Sequence, residues 1–293
     1  MHTKRIKLIE CPRDAMQGLK KIISTENKVD YINRLLQVGF DTLDCGSFVS
    51  HKAIPQMADT KEVLSKLTSV TKTKILVIVA NTRGATEAVT FENIDYVGFP
   101  FSISETFQQR NTNSSIVESV KRVEEIQELC FKNNKKLVIY LSMGFGNPYG
   151  DAYNEEILLH WADEMIKKEV GIISLADTVG MATPEQISFA LNALIPAYPK
   201  TEFSAHLHST AANWKLKLQA AIDAGCLRFE GALKGIGGCP MAGDQLVGNM
   251  NSELMINYFR EIGMQTVIKE YHLQKALQFA DEIFADSAKA VVL

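Results

Sequence analysis

The chemistry of this chain is expected where His206-Leu207-His208 closes the run from Thr201 to His208. An extended strand alternates its side chains with a period of two, so both imidazoles project to one side, where neutral ring nitrogens can grip one divalent metal. The plainer reading is a pair of histidines at a strand end, bonded to backbone and water. Two further polar clusters end strand-like runs: Arg13-Asp14 follows the first, and the loop Gly235-Ile236-Gly237-Gly238-Cys239-Pro240 follows the last. Asp44, Ser47, Ser142 and Asp177 stand at comparable places.

The elements that must position these residues alternate regularly. Strands are expected at Ile6–Cys11, Thr42–Ser47, Lys74–Ala80, Ile94–Ser102, Leu137–Ser142, Ile172–Ala176, Glu202–His208 and Leu227–Leu233. Helices are expected at Ser24–Val38, Val63–Leu67, Ser114–Asn133, Glu155–Lys168, Pro184–Leu194, Trp214–Ala224 and Glu253–Ile262, with a brief one after Ala80. Val29, Ile32, Leu35 and Leu36 mark one face of the first helix, as do Ile116, Val120, Val123, Ile126 and Leu129 in the helix after the fourth strand. Thr183 followed by Pro184 is a helix start. Eight β/α units in roughly 265 residues match a (β/α)8 TIM barrel of the α/β class. A doubly wound open sheet is the rival, but no Gly-x-Gly-x-x-Gly follows the first strand. One catalytic domain is drawn over residues 1–293, with the barrel at about 5–268 and a C-terminal helical segment, Leu273 to Phe284, in 269–293. Polar residues at the C-terminal ends of barrel strands carry the chemistry of such folds. The residues alone thus give a metal-dependent barrel enzyme.

Composition sets the broad class. With 46% hydrophobic and 22% charged residues, 293 residues can bury a large core. A formal charge of −3 offers no reason to expect nucleic acid or an anionic membrane as partner. Five cysteines without a C-x-x-C pair suit reduced thiols. The start, Met1 to Glu10, turns acidic before any long apolar stretch and reads as neither signal peptide nor membrane span, so the expected location is the cytoplasm.

The motifs together resemble the hydroxymethylglutaryl-CoA lyases, among the metal-dependent lyase and synthase barrels. They are Pro12 to Gln17, Ser47 to Met57, Ser174 to Gly180, His206 to Thr210, Gly235 to Pro240, and Gly248-Asn249. The resemblance implies that Asp14, His206, His208 and Asn249 hold a divalent cation. Such an N/O set suits Mg²⁺ or Mn²⁺ and would also accept Zn²⁺ or Co²⁺. It further implies a retro-Claisen cleavage of a 3-hydroxyacyl-CoA to acetyl-CoA and acetoacetate, as in leucine degradation and ketone-body formation. In that reaction Asp14 takes the C3 hydroxyl proton, Arg13 faces the enolate oxygen and Cys239 protonates the acetyl carbon. Asp44 matches a family glutamate and equally suits a structural partner of Arg13. The partners implied are an acyl-CoA and a second copy of the chain.

Two segments, Ser104–Phe107 with Arg110–Asn113 and Gly144–Gly150, read as substrate-facing loops, and Lys52 as a candidate for a CoA phosphate. Asp177 is expected to support the ligands. Cys11, Cys45, Cys130 and Cys226 are expected to pack. The chain departs from the family pattern where Ala15-Met16 replaces Gly-Leu, Ser209 replaces Asp, and Met241 replaces Tyr. The first motif is one residue shorter, and one extra residue precedes Asn249. These changes bear on the acyl group more than on the chemistry. Two other functions compete: a Claisen-type synthase joining acetyl-CoA to a 2-oxo acid, and a non-catalytic acyl-CoA-binding barrel.

Overall fold

The structure, a computed structural model, describes residues 5–68, 72–238 and 247–285. Its strands are β1 (Lys7–Glu10), β2 (Thr42–Ser47), β3 (Lys74–Ile78), β4 (Tyr96–Ser102), β5 (Lys136–Ser142), β6 (Ile172–Ala176), β7 (Glu202–His206) and β8 (Arg228–Gly231). Each pairs in parallel with the next, and β8 returns to β1 to close the barrel, with Lys7 opposite Arg228 and Glu10 opposite Gly231. Helices α1 (Pro12–Gln17) and α2 (Thr25–Val38) follow β1, α3 (Thr60–Ser65) follows β2, and α4 (Thr82–Ala88) follows β3. Next come α5 (Glu105–Thr112) and α6 (Ile116–Lys132) after β4, α7 (Glu155–Lys167) after β5, and α8 (Pro184–Ala197) after β6. The last are α9 (Trp214–Asp223) after β7, α10 (Ser252–Glu261) after β8, and α11 (Glu270–Phe284). This is the TIM barrel that the alternating pattern implies.

The period of two sorts the strand side chains into two apolar groups. Val97, Phe99 and Phe101 of β4 and Ile139 and Leu141 of β5 join the large core between sheet and helices. Leu76, Ile78, Val138, Tyr140 and Ile172 instead form a small cluster inside the barrel. Each large side chain buried in this way contributes roughly 1.5–3 kcal/mol. Gly98 makes the inner cluster possible, because a Cβ there would lie 2.6 Å from Ile78 Cδ1 and 3.0 Å from Tyr140 Cε2. In β2 the register shifts between Asp44 and Gly46, a bulge of the kind that re-aims side chains beside a site.

Helix starts follow local chemistry. Ser24 accepts from Asn27 N at 3.2 Å, and Thr183 and Gln186 form a reciprocal capping box around Pro184. Two helices were not expected. α1 is too short to show a periodic face, although Pro12 stands at its first turn. α5, read from sequence as loop, carries little apolar patterning; its signal was Ser104, which caps Phe107 N at 3.2 Å.

β7 ends two residues earlier than expected. Beyond His206 the chain leaves β8 and bonds to the segment around Asn249, through Met250 N to Leu207 O at 3.1 Å and Ser209 N to Gly248 O at 3.0 Å. α11 lies along the side of the barrel against α2, where Tyr31 meets Phe284 edge-on at 5.7 Å and Arg34 lies 4.5 Å from the Phe279 ring centre.

Candidate active site

At the C-terminal end of β1, Cys11 leads directly into α1, so Arg13, Asp14 and Gln17 reach the barrel mouth on one short helix. Arg13 lays its fork on Asp44 of β2: Nε donates to Oδ2 at 3.0 Å and to Oδ1 at 3.2 Å, and Nη2 donates to Oδ2 as well. Its Nη1 donates to Asp14 Oδ1 at 3.0 Å and to Gln17 Oε1 at 2.8 Å. Of the five N–H groups of a guanidinium, one on Nη2 remains without a partner among the described residues. Gln17 Nε2 donates back to Asp14 Oδ1 at 2.6 Å, closing a ring of bonds.

His206 ends β7 and His208 lies beyond it, yet their Nε2 atoms face each other at 3.3 Å. Their Nδ1 atoms are held elsewhere, His206 by Glu230 Oε2 at 3.1 Å and His208 by the carbonyl of Val247 at 2.8 Å. Acceptors on both Nδ1 atoms fix the protons there, so two lone pairs point at one place. Only a positive charge between them relieves this: a shared proton in the free chain, or a metal cation. Asp14 adds an anionic donor, since its carboxylate and the two imidazoles offer ligand atoms within 4.8 Å of one another. The donor set therefore fits a divalent cation. A second trio, Cys11, His206 and Glu230, also lies that close. There, burial and neighbouring carboxylates push the thiol well up, and Glu230 already accepts from His206, Ser174 Oγ at 2.6 Å and Ser204 Oγ at 2.7 Å.

The charges are set by these contacts. Burial favours a neutral Asp14, but Arg13 and the histidines outweigh it and hold the carboxyl below its usual range. Burial likewise opposes charge on Glu230, yet the His206 hydrogen bond and charge draw it down to about 2. His206 is raised, its burial overcome by Glu230, whereas burial and the neighbouring His206 push His208 down. Burial lifts Asp44 to about 6 against the pull of Arg13, which leaves it mainly ionised at neutral pH. The carboxylates on Arg13 raise it further above its ordinary value, against burial.

Arg13, Asp14, Gln17, His206 and His208 form one side of a cavity of about 930 Å³, including its open mouth. Asn111, Tyr140, Ser142 and Thr178 add polar atoms, and Val49, Ile54, Ile78, Pro100 and Phe107 make an apolar wall. Arg13, Asp14, Asp44, His206, His208 and Asn249 are thus brought together. Asn249 joins the group through Asp14, its Nδ2 donating to Asp14 Oδ2 at 2.6 Å and to Ile236 O at 2.9 Å. Gly237 permits that approach, as a Cβ there would fall 2.5 Å from Asn249 Nδ2. Cys239 and Met241 lie outside the described residues.

Other expectations fare differently. Asp177 is buried on Lys217 and lines no part of the cavity. Lys52 is exposed and lines a neighbouring groove with Lys61 and Arg83. The segment 144–150 lines no part of the cavity and packs on 104–113 through Tyr149, which stacks on Phe107 and lies under Arg110. The following Asp151 accepts from Ser104 Oγ and Thr106 N, and Phe107 and Asn111 are the contribution of 104–113 to the cavity. Sequence reasoning missed Glu230, Tyr140 and Gln17. Strand alternation pointed to the first two, since Glu230 and Tyr140 share the inward parity of their strands. Gln17 follows Arg13 by four residues, a neighbour only once α1 forms, and no helix was expected there.

The HMGL-like family profile matches residues 5–280. The cytoplasmic 3-hydroxy-3-methylglutaryl-CoA lyase of Rattus norvegicus is 30% identical over 275 residues, covering 94% of this chain and 80% of that protein. A hydroxymethylglutaryl-CoA lyase of Bacillus subtilis is 29% identical over 92% of this chain and 90% of its own length. Among solved structures, an HMG-CoA lyase from Acinetobacter baumannii, in complex with coenzyme A and 3-methylmalate, superposes with a TM-score of 0.90 at 28% identity, over 97% of this chain and 93% of that one. With a metal-competent site at the mouth of the same barrel, the chain belongs to the HMGL-like family of metal-dependent lyases.

Proposed function

We propose that this chain is a carbon–carbon lyase that cleaves 3-hydroxy-3-methylglutaryl-CoA to acetyl-CoA and acetoacetate. The observation that carries the reading is the pair of imidazole lone pairs converging at 3.3 Å beside Asp14 and Arg13. In this reading Asp14, His206, His208 and Asn249 hold Mg²⁺ or Mn²⁺, Asn249 after turning its amide. The bound cation would lower the pKa of the substrate's C3 hydroxyl.

The chain's own residues do the rest. Asp14, an ionised carboxylate, takes the hydroxyl proton. As the C2–C3 bond breaks, its electron pair passes to the thioester as an enolate, and the free Nη2 N–H of Arg13 donates to the enolate oxygen. Asp44 and Gln17 hold the guanidinium in place for that contact. Cys239 supplies the proton that converts the enolate carbon to the methyl of acetyl-CoA. The apolar wall of Val49, Ile54, Ile78, Pro100 and Phe107 keeps water from the enolate.

The test is incubation of the purified chain with Mg²⁺ and the thioester, read as acetyl-CoA and acetoacetate by mass spectrometry. Absence of cleavage together with condensation of acetyl-CoA onto a 2-oxo acid would overturn the reading. A homodimer in the cytoplasm is part of the same proposal. Buried free thiols at Cys11, Cys45, Cys130 and Cys226 support that location, and no helix among the described residues is long and apolar enough to cross a membrane.

A further inference from the structure

Behind the cavity, α9 sends Lys217 inward. Its side chain is 2% exposed, and the ammonium sits among three acceptors: Asp177 Oδ2 at 2.7 Å, the carbonyl of His208 at 2.8 Å and the carbonyl of Gly180 at 2.9 Å. An ammonium has three N–H donors, so each acceptor takes one. The three acceptors belong to different places, two in the loop after β6 and one at the second histidine of the His-x-His pair. On one side His208 is bridged to Asn249, whereas its carbonyl, like that of His206, faces β6, which has already ended at Ala176. Asp177 is tied in turn, with its backbone N–H on His206 O at 2.9 Å and its Oδ1 accepting from Ala182 N at 2.9 Å.

We infer that Lys217 is a positioning residue for the metal site: it anchors the backbone of His208 to the β6 loop and so sets the direction of the His208 imidazole toward His206 and Asp14. The inference rests on the metal reading above. Lys217 touches neither the cavity nor the ligand atoms, and its effect passes through a backbone carbonyl. A side chain at 217 that carries no donor frees that carbonyl, lets the 208–210 segment turn, and widens the 3.3 Å gap between the rings. It also strands the buried Asp177 carboxylate.

The experiment measures Mn²⁺ affinity by calorimetry on the full chain, with circular dichroism to confirm the fold. Lys217→Met is expected to bind Mn²⁺ at least about tenfold more weakly than the wild type, in the range typical of groups that orient metal ligands. At saturating Mn²⁺ its KM for the acyl-CoA stays within about twofold, because Lys217 lines no part of the cavity. The double variant Asp177→Asn with Lys217→Gln leaves no charge stranded and keeps an amide donor for the carbonyls; it is expected to recover most of the affinity. A folded Lys217→Met chain with wild-type Mn²⁺ affinity overturns the inference. Where that chain does not fold, Asp177→Asn with Lys217→Met is compared with Asp177→Asn with Lys217→Gln, and equal affinities overturn it. A wild-type chain that binds no Mn²⁺ overturns the metal reading itself, and the inference with it.

Discussion

Replacing Glu230 by Gln tests whether the His206 site is tuned from behind. Glu230 is buried, accepts from His206 Nδ1 at 3.1 Å through Oε2, and accepts two serine hydroxyls through Oε1. Glutamine keeps the shape and can keep the bonds, with its oxygen on His206 and its amide on the hydroxyls. What it removes is the negative charge that makes the imidazole a stronger donor to a cation. Carboxylates placed in this way account for about 10–100-fold in metal affinity, or about 1.4–2.7 kcal/mol. Because Glu230 is held ionised at about 2, below its ordinary 4.5, its charge stabilises the metal-free fold at neutral pH, so the thermal midpoint of the metal-free variant should fall together with Mn²⁺ affinity. Circular dichroism at the titration temperature, well below the midpoint, confirms a folded chain and separates a ligand effect from general damage. Calorimetric titration gives the affinity, and thermal unfolding in chelator gives the stability. Wild-type affinity in Glu230→Gln would show that its charge is structural and that the ligand strength of His206 is set elsewhere.

Other substitutions probe the remaining parts. His206→Ala and His208→Ala should each lower Mn²⁺ affinity by about a hundredfold or more and nearly abolish turnover in a folded chain; unchanged affinity in both would remove them as ligands. Arg13→Lys keeps a charge but loses the fork on Asp44, so kcat should fall by about 10²–10³-fold; normal kcat with a raised KM would reassign Arg13 to substrate anchoring. Glu10 lies away from the cavity, where burial pushes it up to about 8 despite bonds from Ser252 Oγ at 2.5 Å and Leu233 N at 2.7 Å. Its folded pKa exceeds the ordinary 4.5, so its contribution is complete below about pH 4.5 and is lost as pH rises through about 8. Glu10→Gln should flatten that decline and be more stable than the wild type at pH 8, by on the order of a few kcal/mol. Parallel stability–pH curves for the two chains would refute it.

How much of this was legible in the sequence depended on the range of the signal. A strand with both faces buried, such as Ile172–Ala176, announces itself as a short apolar run and was found to the residue, as was Thr42–Ser47 despite its polar residues. The convergence of Arg13, Asp14, Asp44, His206 and His208 was legible too, because a barrel brings every strand's C-terminal end to one rim. The six-residue α1 and the weakly patterned α5 were not, since neither is long enough for a period of 3.6 to show. Bonds between residues far apart in the chain, such as Glu230 to Ser174 or Lys217 to Asp177, leave no local mark at all.

The departures from the family pattern show the same limit from the other side. Read along the chain, Ala15, Met16 and Ser209 crowd the site residues and suggest a changed acyl pocket. In space Ala15 and Met16 turn into the core, 1% and 0% exposed, and Ser209 directs its hydroxyl to Met250. None of the three lines the cavity. The cavity's apolar wall comes instead from the segment after β2 and from β3 and β4, through Val49, Ile54, Ile78 and Pro100. Two of these, Ile78 and Pro100, sit within strands whose inward parity the alternation predicts but whose height in the barrel it does not. The polar site residues therefore gather from β1, β2, β7 and the segment at Asn249 because the barrel brings strand ends to one rim, and the cavity's apolar wall is set by strand positions that only the closed barrel brings opposite them.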